Sequence, residues 1–151
     1  MSAVAIRAAR REDAAAILTL VRALADFERL PGPDDAAAAR FVEHAFGARP
    51  LCEAFVGEQD GAIVAYAITF TSYSTFRMQP TLFLEDLFVD PRARRRGIAT
   101  AIMGFLRDLA VARGCGRFEW MVLDWNTGAQ ALYERVGARQ MAEWRLCRVD
   151  L

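Results

Sequence analysis

Apolar residues recur along this chain at two spacings, and the changes between them mark its elements. From Glu12 the period is helical: Ala14, Ile17, Leu18, Val21, Leu24 and Ala25 form one stripe, with Glu12 and Asp13 in the first turn, where negative charge complements the helix dipole. The preceding VAIRAA reads as an edge strand. LPGPDD breaks the chain, and Asp34 or Asp35 can cap a second helix through about Phe46. LCEAFVGE and AIVAYAITFTSY read as strands joined by the turn QDG, a hairpin signal, and TLFLEDLFV is a further strand. Ile98, Ala101, Ile102, Phe105, Leu106, Leu109 and Ala110 make a clean helical stripe, ended by Gly114. RFEWMVLD is the next strand, Ala129, Leu132, Tyr133 and Val136 mark a short helix closed by Gly137, and ARQMAEWRLCRVDL finishes as strand material.

The order is βααβββαβαβ: a mixed α/β domain with a largely antiparallel first half and one strand–helix–strand unit expected to pair in parallel. A chain of 151 residues fits a single domain over 1–151, and 54% hydrophobic with 25% charged residues reads as globular. Lys plus Arg equals Asp plus Glu, so no global charge draws the chain to nucleic acid or membrane. The odd number of cysteines, Cys52, Cys115 and Cys147, shows no paired spacing and fits a reducing, cytoplasmic setting. His44 is the only histidine and has helical neighbours, which suits a surface or boundary position. That argues against a zinc site and against a nucleophile served by a histidine base. No signal-peptide core and no run of membrane-spanning length is expected.

Charge is concentrated locally. Arg92, Arg94, Arg95 and Arg96 crowd against Gly97, after a strand and where a helix begins. Exposed N–H groups at such a start suit a phosphate or pyrophosphate, glycine admits the ligand to the backbone, and arginines add forked contacts. The same residues also make an ordinary basic loop before a helix. No Gly-Lys-Ser/Thr follows, and there is no dinucleotide fingerprint, so a phosphorylated cofactor other than ATP or NAD is indicated.

RARRRGIAT resembles the Arg/Gln-x-x-Gly-x-Gly/Ala signature of the GNAT N-acetyltransferases through Arg94, Gly97 and Ala99. NTGAQALYERVGA resembles that superfamily's second signature through Asn126, Ala129, Tyr133 and Gly137. IRAARRED, LADFERL, FLEDLFV, LDWN and EWRLCRVDL further resemble its diamine acetyltransferase branch, which includes the spermidine/spermine and thialysine acetyltransferases. The resemblance implies a central mixed, splayed sheet of about six to seven strands flanked by about four helices. Acetyl-CoA would lie between the strands ending near Val89 and starting near Arg117. Backbone groups of Leu87, Phe88 and Val89 would hold the pantetheine arm and acetyl carbonyl. Amides of Arg95, Arg96, Gly97, Ile98, Ala99 and Thr100 would wrap the pyrophosphate, with Arg94 in the signature and Asn126, Ala129 and Tyr133 along the arm. Arg95 stands where the more usual signature has a glycine, and so is expected to have a backbone geometry open to an ordinary residue. No metal is implied.

Glu85 and Asp86 interrupt an apolar strand, where neighbours point to opposite faces. Either both are wet at a fray or bulge, or at least one lies in a cleft beside the acetyl group. The resemblance implies that Glu85 accepts the amine proton, with Asp86 beside it as a helper. It also implies that Tyr133, otherwise a natural core residue, protonates the leaving thiolate. Glu28, Glu119 and Glu143 match regions that line the amine site in that branch, and Phe27 and Trp144 could contact its alkyl chain or stack on a cation, although each taken alone also reads as an ordinary surface residue. The loop TSYSTFRM is less acidic than in polyamine enzymes and carries Arg77, which favours a smaller amine such as a lysine analogue.

The resulting expectation is direct transfer from acetyl-CoA to a small cationic amine (diamine, polyamine or lysine analogue) in a ternary complex. Acetylation of a protein N-terminus or lysine, a non-catalytic CoA-binding module and, more distantly, nucleic-acid binding are the alternatives. The alternating terminal strand WRLCRVDL suggests a homodimer.

Overall fold

The computed structural model describes residues 2–151, and its larger unit, running to Met121, is built on one five-stranded sheet. The strands lie side by side in chain order: β1 (Ala5–Ala8), β2 (Glu53–Gln59), β3 (Ala62–Ser74), β4 (Gln79–Val89) and β5 (Arg117–Trp120). The helices of this unit are α1 (Ala14–Glu28), α2 (Asp35–Phe46) and α3 (Ile98–Ala112). The first three strand pairings are antiparallel, and β4, α3 and β5 form the parallel unit that the pattern predicts.

Local chemistry sets the joints. Asp60 and Gly61 have φ of 52° and 78°, as a two-residue hairpin turn of matching twist requires, and they join β2 to β3. Asp34 accepts from the Ala37 N–H at 2.8 Å and caps α2. Asp13 does more than complement a dipole. It is buried before α1, accepts from the Arg10 N–H at 2.7 Å, and pairs at 2.7 Å with Arg7, which also reaches Glu58 at 2.9 Å. The Arg7 guanidinium holds the Asp13 carboxyl below its usual range, and the pair ties the edge strand to the start of α1.

Directly opposed residues share a face of a sheet. The row Val56–Tyr66–Phe88 and the row Ala54–Ile68–Asp86 therefore lie on one side, where Ile17 and Leu20 of α1 complete an apolar cluster. Leu20 replaces Leu18 in the buried stripe: Ala14, Ile17 and Leu20 are buried, while Leu18, one residue past Ile17, is rotated part-way out. On the other side the Phe55 ring meets Phe105 edge-on at 5.6 Å, and Ile98, Ile102 and Leu106 of α3 are buried.

The second unit, Val122–Leu151, contains α4 (Thr127–Arg135), preceded by Asn126, whose side chain accepts from the Ala129 N–H at 3.2 Å. Gly137, past its end, has a φ of 88°. Two expectations are corrected here. The sheet has five strands among the described residues where six to seven were expected, because ARQMAEWRLCRVDL forms no strand and β5 stops at Trp120, short of the full RFEWMVLD. Alternation specifies faces, but an extended segment becomes a strand only where a partner completes its hydrogen-bond ladder. No helix among the described residues is long and apolar enough to cross a membrane.

Candidate active site

The strand β4 changes character half-way along. It pairs with β5 only from Thr81 to Leu84, where β5 ends, and then runs on to Val89, so beyond Leu84 no described strand pairs with this edge. The Asp90 N–H donates to the Val64 carbonyl at 2.8 Å, which fixes the alternation at this end. Phe88 and Asp90 turn their backbone groups toward β3. Leu87 and Val89 turn theirs to the opposite edge, beyond the last β5 pair. This is the edge that the resemblance gives to the pantetheine arm.

A bulge lies just past the last β4–β5 pair. Ile68 is opposite Asp86 and Thr69 is opposite Leu84, so Glu85 is an additional residue that β3 does not match. The insertion resolves the problem of adjacent carboxylates: Glu85 is exposed, and Asp86 keeps its place on the α1 side of the sheet, half-buried. There the Tyr66 hydroxyl approaches its Oδ2 at 3.4 Å, long for an O–H···O bond and correspondingly weak. Burial pushes the Asp86 carboxyl up to about 6, and the negative charges of Glu85 and Glu28 push in the same direction, while the Tyr66 donor pulls the other way. Glu28, in the last turn of α1, also acts on the Tyr66 phenol, which burial has already carried above its ordinary value. Asp86 thus feels the charge of two other carboxylates, and its own carboxyl is held well above the usual range.

The segment after β4 is a short 3₁₀ turn, Pro91–Ala93, whose leading residue Asp90 accepts from the Arg92 N–H at 2.9 Å and pairs with its guanidinium at 2.7 Å. Gly97 (φ 74°) caps α3 from the left-handed region, and a Cβ built on it would meet nothing within 4 Å. The first helical bond runs from the Ala101 N–H to the Gly97 carbonyl, so the amides of Ile98, Ala99 and Thr100 precede any intrahelical acceptor. An open approach to three aligned amides fits a pyrophosphate. Arg95 corrects the expectation of an ordinary geometry: its φ is 61°, the left-handed conformation that a glycine would take there without strain. Beside the turn, Gln59, Asp60, Asp90, Arg92 and Arg96 line a cleft of about 320 Å³, with Arg96 donating to Gln59 Oε1 at 3.3 Å.

The remaining expected residues divide between the two units. In the first, Phe27 lies with its ring centroid 5.7 Å from the Arg94 guanidinium, and Glu119 occupies the sheet face shared with Phe83, 3.8 Å from Arg117. In the second, Asn126 caps α4 through the Ala129 amide, Tyr133 lies within that helix, and Glu143 and Trp144 belong to its irregular segment. Tyr66 is the residue that the pattern missed. Its one signal is a phenol flanked by Ala65 and Ala67 in the apolar first half of β3, and a buried hydroxyl needs a partner. Among the described residues no group of three or more His, Cys, Asp or Glu side chains is arranged to hold a metal ion.

Residues 15–138 match the acetyltransferase (GNAT) family. The chain is a GNAT-family N-acetyltransferase. This acetyltransferase is 32% identical, over 161 aligned positions, to the thialysine N-epsilon-acetyltransferase of Bos taurus, a match covering 99% of this chain and 94% of that one. A stretch of 90 residues is 36% identical to an L-ornithine N5-acetyltransferase of Arabidopsis thaliana, covering 60% of this chain and 40% of the relative. Its fold also matches an aminoglycoside N-acetyltransferase solved with CoA (TM-score 0.82, 22% identity, 100% and 96% of the two chains). A ribosomal-protein-alanine N-acetyltransferase of Brucella melitensis superposes with a TM-score of 0.79 at 22% identity, covering 99% of each chain.

Proposed function

We propose that this acetyltransferase depends on acetyl-CoA and moves an acetyl group directly to the primary amine of a small cationic acceptor in a ternary complex. One observation carries the reading: Glu85 and Asp86 stand at the β4 bulge, with the charge of Glu28 acting on Asp86, immediately before the unpaired edge of β4 and the helix-start amides after Gly97 that have no intrahelical acceptor.

Acetyl-CoA supplies an activated thioester; everything else asked of the site is binding and proton handling. Leu87 and Val89 offer backbone groups along the open edge, and the amides of Ile98, Ala99 and Thr100 suit the pyrophosphate. An alkyl ammonium has a pKa near 10.4, so freeing its lone pair at pH 7 costs about 4 to 5 kcal/mol. Asp86, desolvated and short of positive partners, gains from pairing with that ammonium. Glu85, exposed at the same bulge, takes the proton through water and returns it to solvent. Tyr133 protonates the departing thiolate, an uphill step of only about 1 to 2 units between a phenol near 10 and a thiol near 8.5. The resemblance assigns Asn126 and Ala129, at the start of the helix that carries Tyr133, to the coenzyme arm, and Phe27, Glu119, Glu143 and Trp144 to the acceptor.

The names of the relatives favour an amino acid with a terminal amine, such as thialysine or ornithine. Arg77 contributes less to that choice than its sequence suggests. It precedes β4, whose start at Gln79 is about 24 Å of strand from Asp86 at about 3.4 Å per residue, and donates to the Gly116 carbonyl at 3.4 Å. Over such a distance salt screens most of its charge. The alternating apolar positions of the terminal WRLCRVDL support pairing with a second copy in a homodimer.

The test is thiol release from acetyl-CoA with thialysine, ornithine and spermidine, with the product weighed by mass spectrometry. A single added acetyl on thialysine or ornithine is expected. CoA binding without turnover on any of the three would remove the reading.

A further inference from the structure

Arg94 occupies the signature position that the resemblance assigns to the coenzyme, yet its side chain is committed elsewhere. Its Nε donates to the Val89 carbonyl at 3.1 Å. Its guanidinium carbon lies 5.2 Å from the Phe88 ring centroid and 5.7 Å from that of Phe27, both within cation–π range. These contacts belong to three different parts of the site. Val89 ends the open edge of β4, Phe88 is buried in the cluster under α1, and Phe27 adjoins Glu28 in the last turn of that helix.

Phe27 is 45% exposed, and α1 stops at Arg29, whose φ of 58° reverses the chain. A cation laid over the Phe27 ring while hydrogen-bonded to the end of β4 fixes the distance between turn and strand. Glu28, whose charge acts on Asp86, and Asp86 itself sit on the two parts so joined.

We infer that Arg94 is a positioning residue rather than a phosphate ligand: it links the open edge of β4 to the last turn of α1, so that CoA bound along that edge strengthens amine binding near Glu28. The inference rests on the function proposed above. Displacement or stiffening at Leu87–Val89 passes through the Val89 carbonyl to Arg94 and from its guanidinium to Phe27. Coupling of this kind is reciprocal, so amine also strengthens CoA binding by the same factor.

The test combines calorimetry, hydrogen exchange and kinetics on the wild type, Arg94→Gln, Phe27→Leu and the double variant. Gln retains an amide donor for Val89 but no charge over the rings. Saturating CoA is expected to slow amide exchange over residues 24–30 in the wild type and to leave that stretch unchanged in Arg94→Gln. The ornithine KM is expected to rise roughly three- to ten-fold in each single variant and no further in the double, with CoA affinity within about two-fold of wild type. An Arg94→Lys variant, which restores the charge, recovers part of the loss. CoA affinity falling more than about five-fold in Arg94→Gln with an unchanged ornithine KM overturns the inference in favour of a phosphate contact. So does CoA binding that leaves residues 24–30 unaffected in the wild type. An absence of any CoA binding by the wild type removes the proposed function itself and this coupling with it.

Discussion

Tyr66 and Asp86 meet diagonally across the β3–β4 ladder, hydroxyl to Oδ2 at 3.4 Å, each two positions from the other's register partner. Burial, and then the charge of Asp86, raise the phenol above its ordinary value, so Tyr66 stays a neutral donor at any working pH. Its bond is the one influence that favours the charged form of Asp86 against burial, Glu85 and Glu28. Removing it has a readable direction. Tyr66→Phe moves the acid limb of the kcat/KM profile for ornithine to higher pH, at a stability cost of about 1 kcal/mol or less. An unmoved limb means that Asp86 does not set it.

The same carboxyl links stability to pH. Its folded value, about 6, exceeds the ordinary 3.8, so between those values the folded state holds the proton more tightly than the unfolded chain. Stability from this group is therefore highest below about pH 4 and is lost as pH rises through 6. Asp86→Asn removes the titration and should stabilise the protein at pH 7 to 8 by about 2 kcal/mol, with no gain near pH 4. Thermal melts of the two proteins across that range measure it.

Glu85 and Tyr133 have separable signatures. Glu85→Gln lowers turnover most where the amine is fully protonated and recovers as pH approaches the amine's own pKa. Tyr133→Phe lowers turnover by roughly 10² to 10⁴ with acetyl-CoA affinity retained. Full turnover in Tyr133→Phe would remove the acid assignment, and a uniform loss at all pH in Glu85→Gln would remove the proton acceptor.

Much of this was legible before any coordinates. The helical stripes of α1 and α3, the turn at Asp60 and Gly61, and the parallel unit around α3 each follow from short-range pattern or from a glycine at a forced conformation. What escaped depends on distant partners. The sequence left open whether Glu85 and Asp86 sat at a bulge, and only the mismatch against Ile68 and Thr69 decides it. Arg95 in the left-handed region has no signature of its own, since the sequence shows the substituent and not the conformation retained. The contact of Arg94 with Phe27 joins residues 67 positions apart by number, beyond any local period. The terminal segment fails for the converse reason: its alternation is clear, but among the described residues no strand pairs with it.

The glycine at the turn carries both stability and binding. Gly97→Ala forces a Cβ into a φ of 74°, where an ordinary residue loses about 1 to 2 kcal/mol, although no neighbour obstructs it. The variant should still fold, melt a few degrees lower and bind CoA at least ten-fold more weakly, because the added methyl occupies the approach to the amides. Calorimetry showing wild-type affinity would place the pyrophosphate elsewhere.

The most direct measurement is the steady-state acetylation of ornithine by Glu28→Gln and Asp86→Asn beside the wild type, with CoA affinity measured in parallel. Loss of one charge-assisted contact to the bound ammonium predicts a fall in kcat/KM of roughly 10- to 100-fold in each, carried largely by KM, with CoA affinity unchanged. Wild-type kcat/KM in both variants would contradict the carboxylate cluster as the amine site.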